Sequence, residues 1–74
     1  MVGTYIIQID LEQLRVRQSR VERRELTLSE IQLWLTQYGF YPRIDGFYLA
    51  EEPLLDQLSP SEILDKRPVE NLTL

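Results

Sequence analysis

Four residues near the middle of the chain, Thr27-Leu28-Ser29-Glu30, constrain this fold more than any other segment. They spell a capping box, in which the threonine hydroxyl accepts the backbone N–H of Glu30 and the glutamate reaches back to the N–H of the cap. A helix from Leu28 to Tyr38 is expected next, with Gly39 supplying the left-handed residue beyond its end. Shortly after comes Asp45-Gly46, flanked by FYPRI and FYLA, which is the strongest short-range signal for a β-hairpin. Residues 26–50 therefore read as helix, stop and hairpin. They contain the only tryptophan and five of the six Phe and Tyr residues, so most of the bulky apolar volume lies here.

Phase along these elements assigns a face to each side chain. At about 100° per residue, Leu28, Ile31, Trp34, Leu35 and Tyr38 fall within about a third of the helix circumference and form the expected core face. Leu33 falls nearly opposite and is expected to be exposed. A two-residue type I′ loop at Asp45-Gly46 pairs Ile44 with Phe47, Arg43 with Tyr48, Pro42 with Leu49 and Tyr41 with Ala50. Phe40, Pro42, Ile44, Phe47 and Leu49 then point inward, and Tyr41, Arg43, Tyr48 and Ala50 outward. Pro42 has no N–H to donate, so the FYPRI strand is expected at a sheet edge.

Ahead of this stretch, Thr4 to Asp10 alternates as a strand does, with Tyr5, Ile7 and Ile9 on one side and Thr4, Gln8 and Asp10 on the other. Ile6 breaks the pattern and implies that the second face is partly covered as well. Leu11 to Glu25 has two readings. Asp10 as N-cap, good helix formers and a shared face for Leu11, Leu14 and Val21 favour a thin amphipathic helix, while Leu14 and Val16 alternating with Arg15 and Arg17 fit a returning strand. The helix is preferred. After the hairpin, Pro53 opens a helical piece carrying Leu54, Leu55 and Leu58 inward, and Ser59-Pro60-Ser61-Glu62 is a second capping box opening a short helix through Ile63 and Leu64. Residues 68–74 are expected to be a mobile tail. Asn71-Leu72-Thr73 matches the glycosylation acceptor pattern and is read as a chance match.

The expected architecture is α+β: a small antiparallel sheet, made of the N-terminal strand and the hairpin, packed on one main helix and closed by short C-terminal helices. Seventy-four residues form one domain, 1–74, of modest stability, roughly 4–11 kcal/mol at about 0.05–0.15 kcal/mol per residue.

Composition excludes much chemistry. There is no cysteine and no histidine, so disulfides, thiolate metal sites, triads and histidine acid–base machinery are ruled out. No apolar run approaches the ~20 residues of a membrane span, and a soluble, cytoplasmic protein is expected. No phosphate loop, nucleophile elbow or calcium loop occurs. The carboxylates Asp45, Glu51, Glu52 and Asp56 are accounted for by turn and helix-start preferences, so neither an enzyme nor a metal or cofactor site is expected.

Two candidate surfaces remain. Net charge is −4, yet Arg15, Arg17, Arg20, Arg23 and Arg24 place five of the eight basic residues within ten positions. Such a stripe can hold an anion or nucleic acid, and the plainer reading is a solvated face paired with nearby acids. Tyr41, Arg43 and Tyr48 on the outer side of the hairpin, with exposed Leu33, form a candidate protein contact, since Tyr and Arg are enriched in binding hot spots. The first expectation is a non-enzymatic module binding another protein, a second copy of itself included. The alternative is a winged-helix-like regulator using Arg15–Arg24. The helix, glycine and hairpin order supports it, but only one helix lies between Leu28 and the hairpin, where a helix-turn-helix needs two in succession.

Overall fold

A computed structural model describes residues 3–69 of the chain. In chain order the elements are β1 (Thr4–Ile9), α1 (Leu11–Glu22), α2 (Leu28–Gln37), β2 (Tyr41–Pro42), β3 (Tyr48–Glu51), two 3-10 segments (Glu52–Gln57 and Pro60–Glu62) and β4 (Ile63–Pro68). The fold is α+β, with a four-stranded antiparallel sheet of order β2-β3-β1-β4. Pro42 lies in the outermost strand β2, as its missing N–H requires.

Local chemistry sets the helix boundaries. Asp10 caps α1, its carboxylate accepting the Gln13 N–H at 3.1 Å, so residues 11–22 are helix and not a returning strand. The helix ends with Arg23 in the left-handed region (φ 58°), whose N–H donates to the Arg20 carbonyl while that of Arg24 reaches the Ser19 carbonyl. The capping box of α2 forms in full, with bonds of 3.1 Å and 2.9 Å between Thr27 and Glu30. Gly39 has the positive φ (97°) expected of the stop, and a Cβ there would meet the Leu54 side chain at 2.8 Å.

One core joins these elements. Ile7 and Ile9 of β1 and Tyr48 and Ala50 of β3 share one face of the sheet and pack with Leu14, Ile31 and Leu35 of the helices. Phe40, Leu26, Leu55 and Leu58 complete it. In α2 the buried face narrows to Ile31 and Leu35, whereas Leu28 and Tyr38, both expected inside, stand at the two ends of the helix and are each 47% exposed. The Tyr38 ring lies against Trp34 instead, with centroids 4.6 Å apart.

Two further expectations are corrected. The hairpin register is Tyr41 with Leu49 and Pro42 with Tyr48, one residue away from a two-residue loop. Arg43 N–H donates to the Phe47 carbonyl at 2.7 Å and the Gly46 N–H returns to the Arg43 carbonyl, which makes a three-residue loop in which only Gly46 has positive φ. The one-residue slip turns the side chains of β3 over, Phe47 and Leu49 outward and Tyr48 and Ala50 inward, while Tyr41 and Arg43 keep their expected side. Tyr48 and Ala50 are therefore core, and Ile44 is fully exposed at the loop.

The second correction concerns the C-terminal part. Beyond Glu62 the chain does not continue as a helix. Ile63–Pro68 pairs instead with the free edge of β1, where a full row of backbone groups awaits a partner. Of the residues expected in a tail, Pro68 therefore closes β4, and the Val69 N–H just beyond it donates to the Thr4 carbonyl of β1 at 2.8 Å. The rest of that expected tail, the Asn71-Leu72-Thr73 pattern included, lies outside the described residues.

Candidate functional site

With the core on one side, the register fixes which side chains the sheet presents on the other. Directly opposed residues share a face, so one row runs Tyr41, Leu49, Ile6, Arg67 across all four strands in order. The next row is Arg43, Phe47, Gln8 and Asp65, joined by the Arg43–Phe47 bond and the Gln8–Asp65 pairing. Ile6, Phe47 and Leu49 are part-buried by their neighbours and Tyr41 is 61% exposed. None of the four belongs to the core, and no described helix packs on this side.

Charged side chains frame the apolar row. The Arg67 guanidinium lies over the Phe47 ring, 5.6 Å from its centroid, and is held by Asp65 at 3.1 Å. Arg43 pairs with Asp45 across the turn at 2.8 Å. That bond, together with the Phe47 N–H, holds the Asp45 carboxyl down at about 2.

The residues proposed from sequence divide accordingly. Tyr41 and Arg43 lie on this outer face. Tyr48 does not: it is 5% exposed, with its phenol pushed above its ordinary value by burial, because the register slip carries it inside. Leu33 is 58% exposed as expected, but on α2, beside an open groove of about 200 Å³ between the end of α1 and α2 that Trp34, Leu26, Arg24 and Glu30 also line. Ile6, Phe47, Leu49 and Arg67 were missed as site residues. Ile6 carried a signal, being the one apolar residue out of phase in its strand.

The arginine segment is largely neutralised. Arg15 bonds Glu12 and Glu25 and also the Leu26 carbonyl, which its hydrogen bonds, first of all that to Glu12, reflect in a raised pKa. Arg24 bonds Glu30 at 3.0 Å. Arg17 reaches across to Glu62 with two bonds of 2.6 Å and 2.9 Å and to the Gln57 carbonyl, tying α1 to both 3-10 segments. Glu62 is only 2% exposed. Burial raises its carboxyl, and the Arg17 guanidinium and the Ser59 N–H bring it below its ordinary value of 4.5. Among the described residues only Arg20 and Arg23 of the five have no ion pair.

No group of three or more His, Cys, Asp or Glu side chains is gathered for a metal among the described residues, and none of their helices is long and apolar enough to cross a membrane. Compared with known protein families, with curated proteins and with solved structures, the chain matches none.

Proposed function

We propose that this chain is a non-enzymatic interaction module that binds another protein through the outer face of its sheet. One observation carries the reading: the row Tyr41, Leu49, Ile6, Arg67, with Phe47 beside it, crosses all four strands without a covering element among the described residues. Aromatic and arginine side chains framed by charge are characteristic of the cores of protein interfaces. A cytoplasmic location is part of the proposal and rests on the absence of cysteine, which suits a reducing compartment. Affinity capture from the native host compares wild type with Leu49→Arg and Leu33→Arg, all checked for native melting. Capture lost with Leu49→Arg and kept with Leu33→Arg is the expected result; the reverse moves the contact to α2.

The alternative, a nucleic-acid-binding regulator, draws support from one feature. α1 and α2 are two helices in succession ahead of the hairpin, the order a winged helix needs, where the segment from Leu28 to the hairpin by itself supplies only one. Its charge argues the other way, because α2 carries no Lys or Arg and Arg43 is tied to Asp45. Retention of a labelled duplex or single strand at low salt, falling steeply as salt is added, would favour it over protein binding.

A further inference from the structure

The outer face is complementary to itself. Its two rows place Tyr41 and Arg43 in edge strand β2 and Arg67 and Asp65 in edge strand β4, with Leu49 and Ile6 in the two central strands. Consider a twofold axis lying in the interface along the strands, between β3 and β1. It sets β2 of one copy over β4 of the other and keeps each row in register. Leu49 then meets Ile6 of the second copy, the Tyr41 ring meets its Arg67, and Arg43 meets its Asp65. Each contact occurs twice, as an isologous interface demands. The other in-plane axis, across the strands, sets Arg67 on Arg67 when it lies on the first row and Arg67 on Asp65 when it lies between the rows; in neither position does Arg43 meet an acid, so exchanging the charges of Arg43 and Asp65 tells the two axes apart.

We infer that the partner on this face is a second copy of the chain, joined sheet to sheet about that axis. The inference rests on the reading that the outer face is the binding face and names its occupant. Arg43 and Arg67 are already half-positioned for it, since their intramolecular partners Asp45 and Asp65 hold both guanidiniums at the sheet surface. Size sets the strength of the contact. Strands of six, four, two and six residues, at about 3.3 Å per residue and spaced about 4.8 Å, offer about 300 Å² in plan per copy. That is well short of the ~800 Å² per partner of a stable complex, so the dimer is weak and reversible.

A charge exchange tests both the partner and the axis. Sedimentation is run on wild type, Arg43→Asp, Asp65→Arg and an equimolar mixture of the two variants, up to about 1 mM, where a contact with Kd on the order of 0.1 mM is mostly formed. Wild type is expected to associate, and each variant alone to associate at least about tenfold more weakly, because like charges now face each other twice. The mixture restores both pairs and is expected to recover association. Leu49→Arg, which breaks the centre of the contact, stays monomeric. A wild type that remains monomeric throughout, or a mixture no better than its components, overturns the inference. Neither result bears on capture of a different protein, which the comparison of Leu49→Arg with Leu33→Arg reads separately.

Discussion

Tyr41 and Tyr48 sit on adjacent strands of one hairpin and face opposite sides of one sheet. Tyr48 is sealed among Ile7, Ala50 and the helices, while Tyr41 is open beside Leu49 and Ile6. The same residue type thus does two different jobs. On the covered face an aromatic ring stabilises by being removed from water, at about 25 cal/mol per Å² of apolar area. On the open face little area is removed, folding gains little, and the side chain is left available for contact.

The largest expected effect lies on the covered face. Tyr48→Ala removes a buried aromatic and should destabilise by about 3–5 kcal/mol, a large part of a total of roughly 4–11 kcal/mol, so urea melting should find the variant partly unfolded without denaturant. Arg17→Ala comes next. It leaves the Glu62 carboxylate buried without its cation and should lower stability by about 2–4 kcal/mol; Arg17→Met combined with Glu62→Gln should lie much nearer wild type, because both charges and their desolvation cost are gone while the amide oxygen still accepts the Ser59 N–H.

Acid probes the same pair. Glu62 binds its proton less readily folded than unfolded, so its stabilising contribution is complete above about pH 4.5 and is lost as pH falls through its lower folded value. Melting below pH 4.5 should therefore drop more steeply for wild type than for Glu62→Gln. The smallest effects belong to the open side: Ile44→Asp and Tyr41→Ala should each shift stability by no more than about 0.5 kcal/mol. A loss of several kcal/mol on Ile44→Asp would restore the two-residue loop, which buries that residue, and would erase the contrast between the faces.

How far the sequence showed this depends on how local the cause was. The capping box at Thr27, the stop at Gly39 and the cap at Asp10 are all decided within four residues, and they were legible. The hairpin loop was legible as a turn but not in register. Asp45-Gly46 suits a two-residue loop and also a three-residue loop with glycine in the left-handed position, and apolar Ile44 argued for the register that buries it. β4 was illegible for another reason. Ser59-Pro60-Ser61-Glu62 opens a helical turn as Thr27 to Glu30 does, yet the free edge of β1, more than fifty residues upstream, captures Ile63–Pro68 as a strand. The Arg17–Glu62 pair spans 45 positions and could not be told from a solvated charge.

The candidate face inherited the register error. Tyr41 and Arg43 were found because they face outward in either register, and Tyr48 was misplaced because it does not. Leu49, Phe47 and Arg67 emerge only once four strands are laid side by side.

The claim that the open face of the sheet is where this chain meets a second copy of itself is tested most directly by its amide NMR spectrum on dilution. Concentration-dependent shifts are expected along the outer rows, at Ile6, Gln8, Phe47, Leu49 and Arg67, with α1 and α2 unchanged. Shifts centred on Leu33 and Trp34 instead, or a spectrum that does not change with concentration, would contradict it.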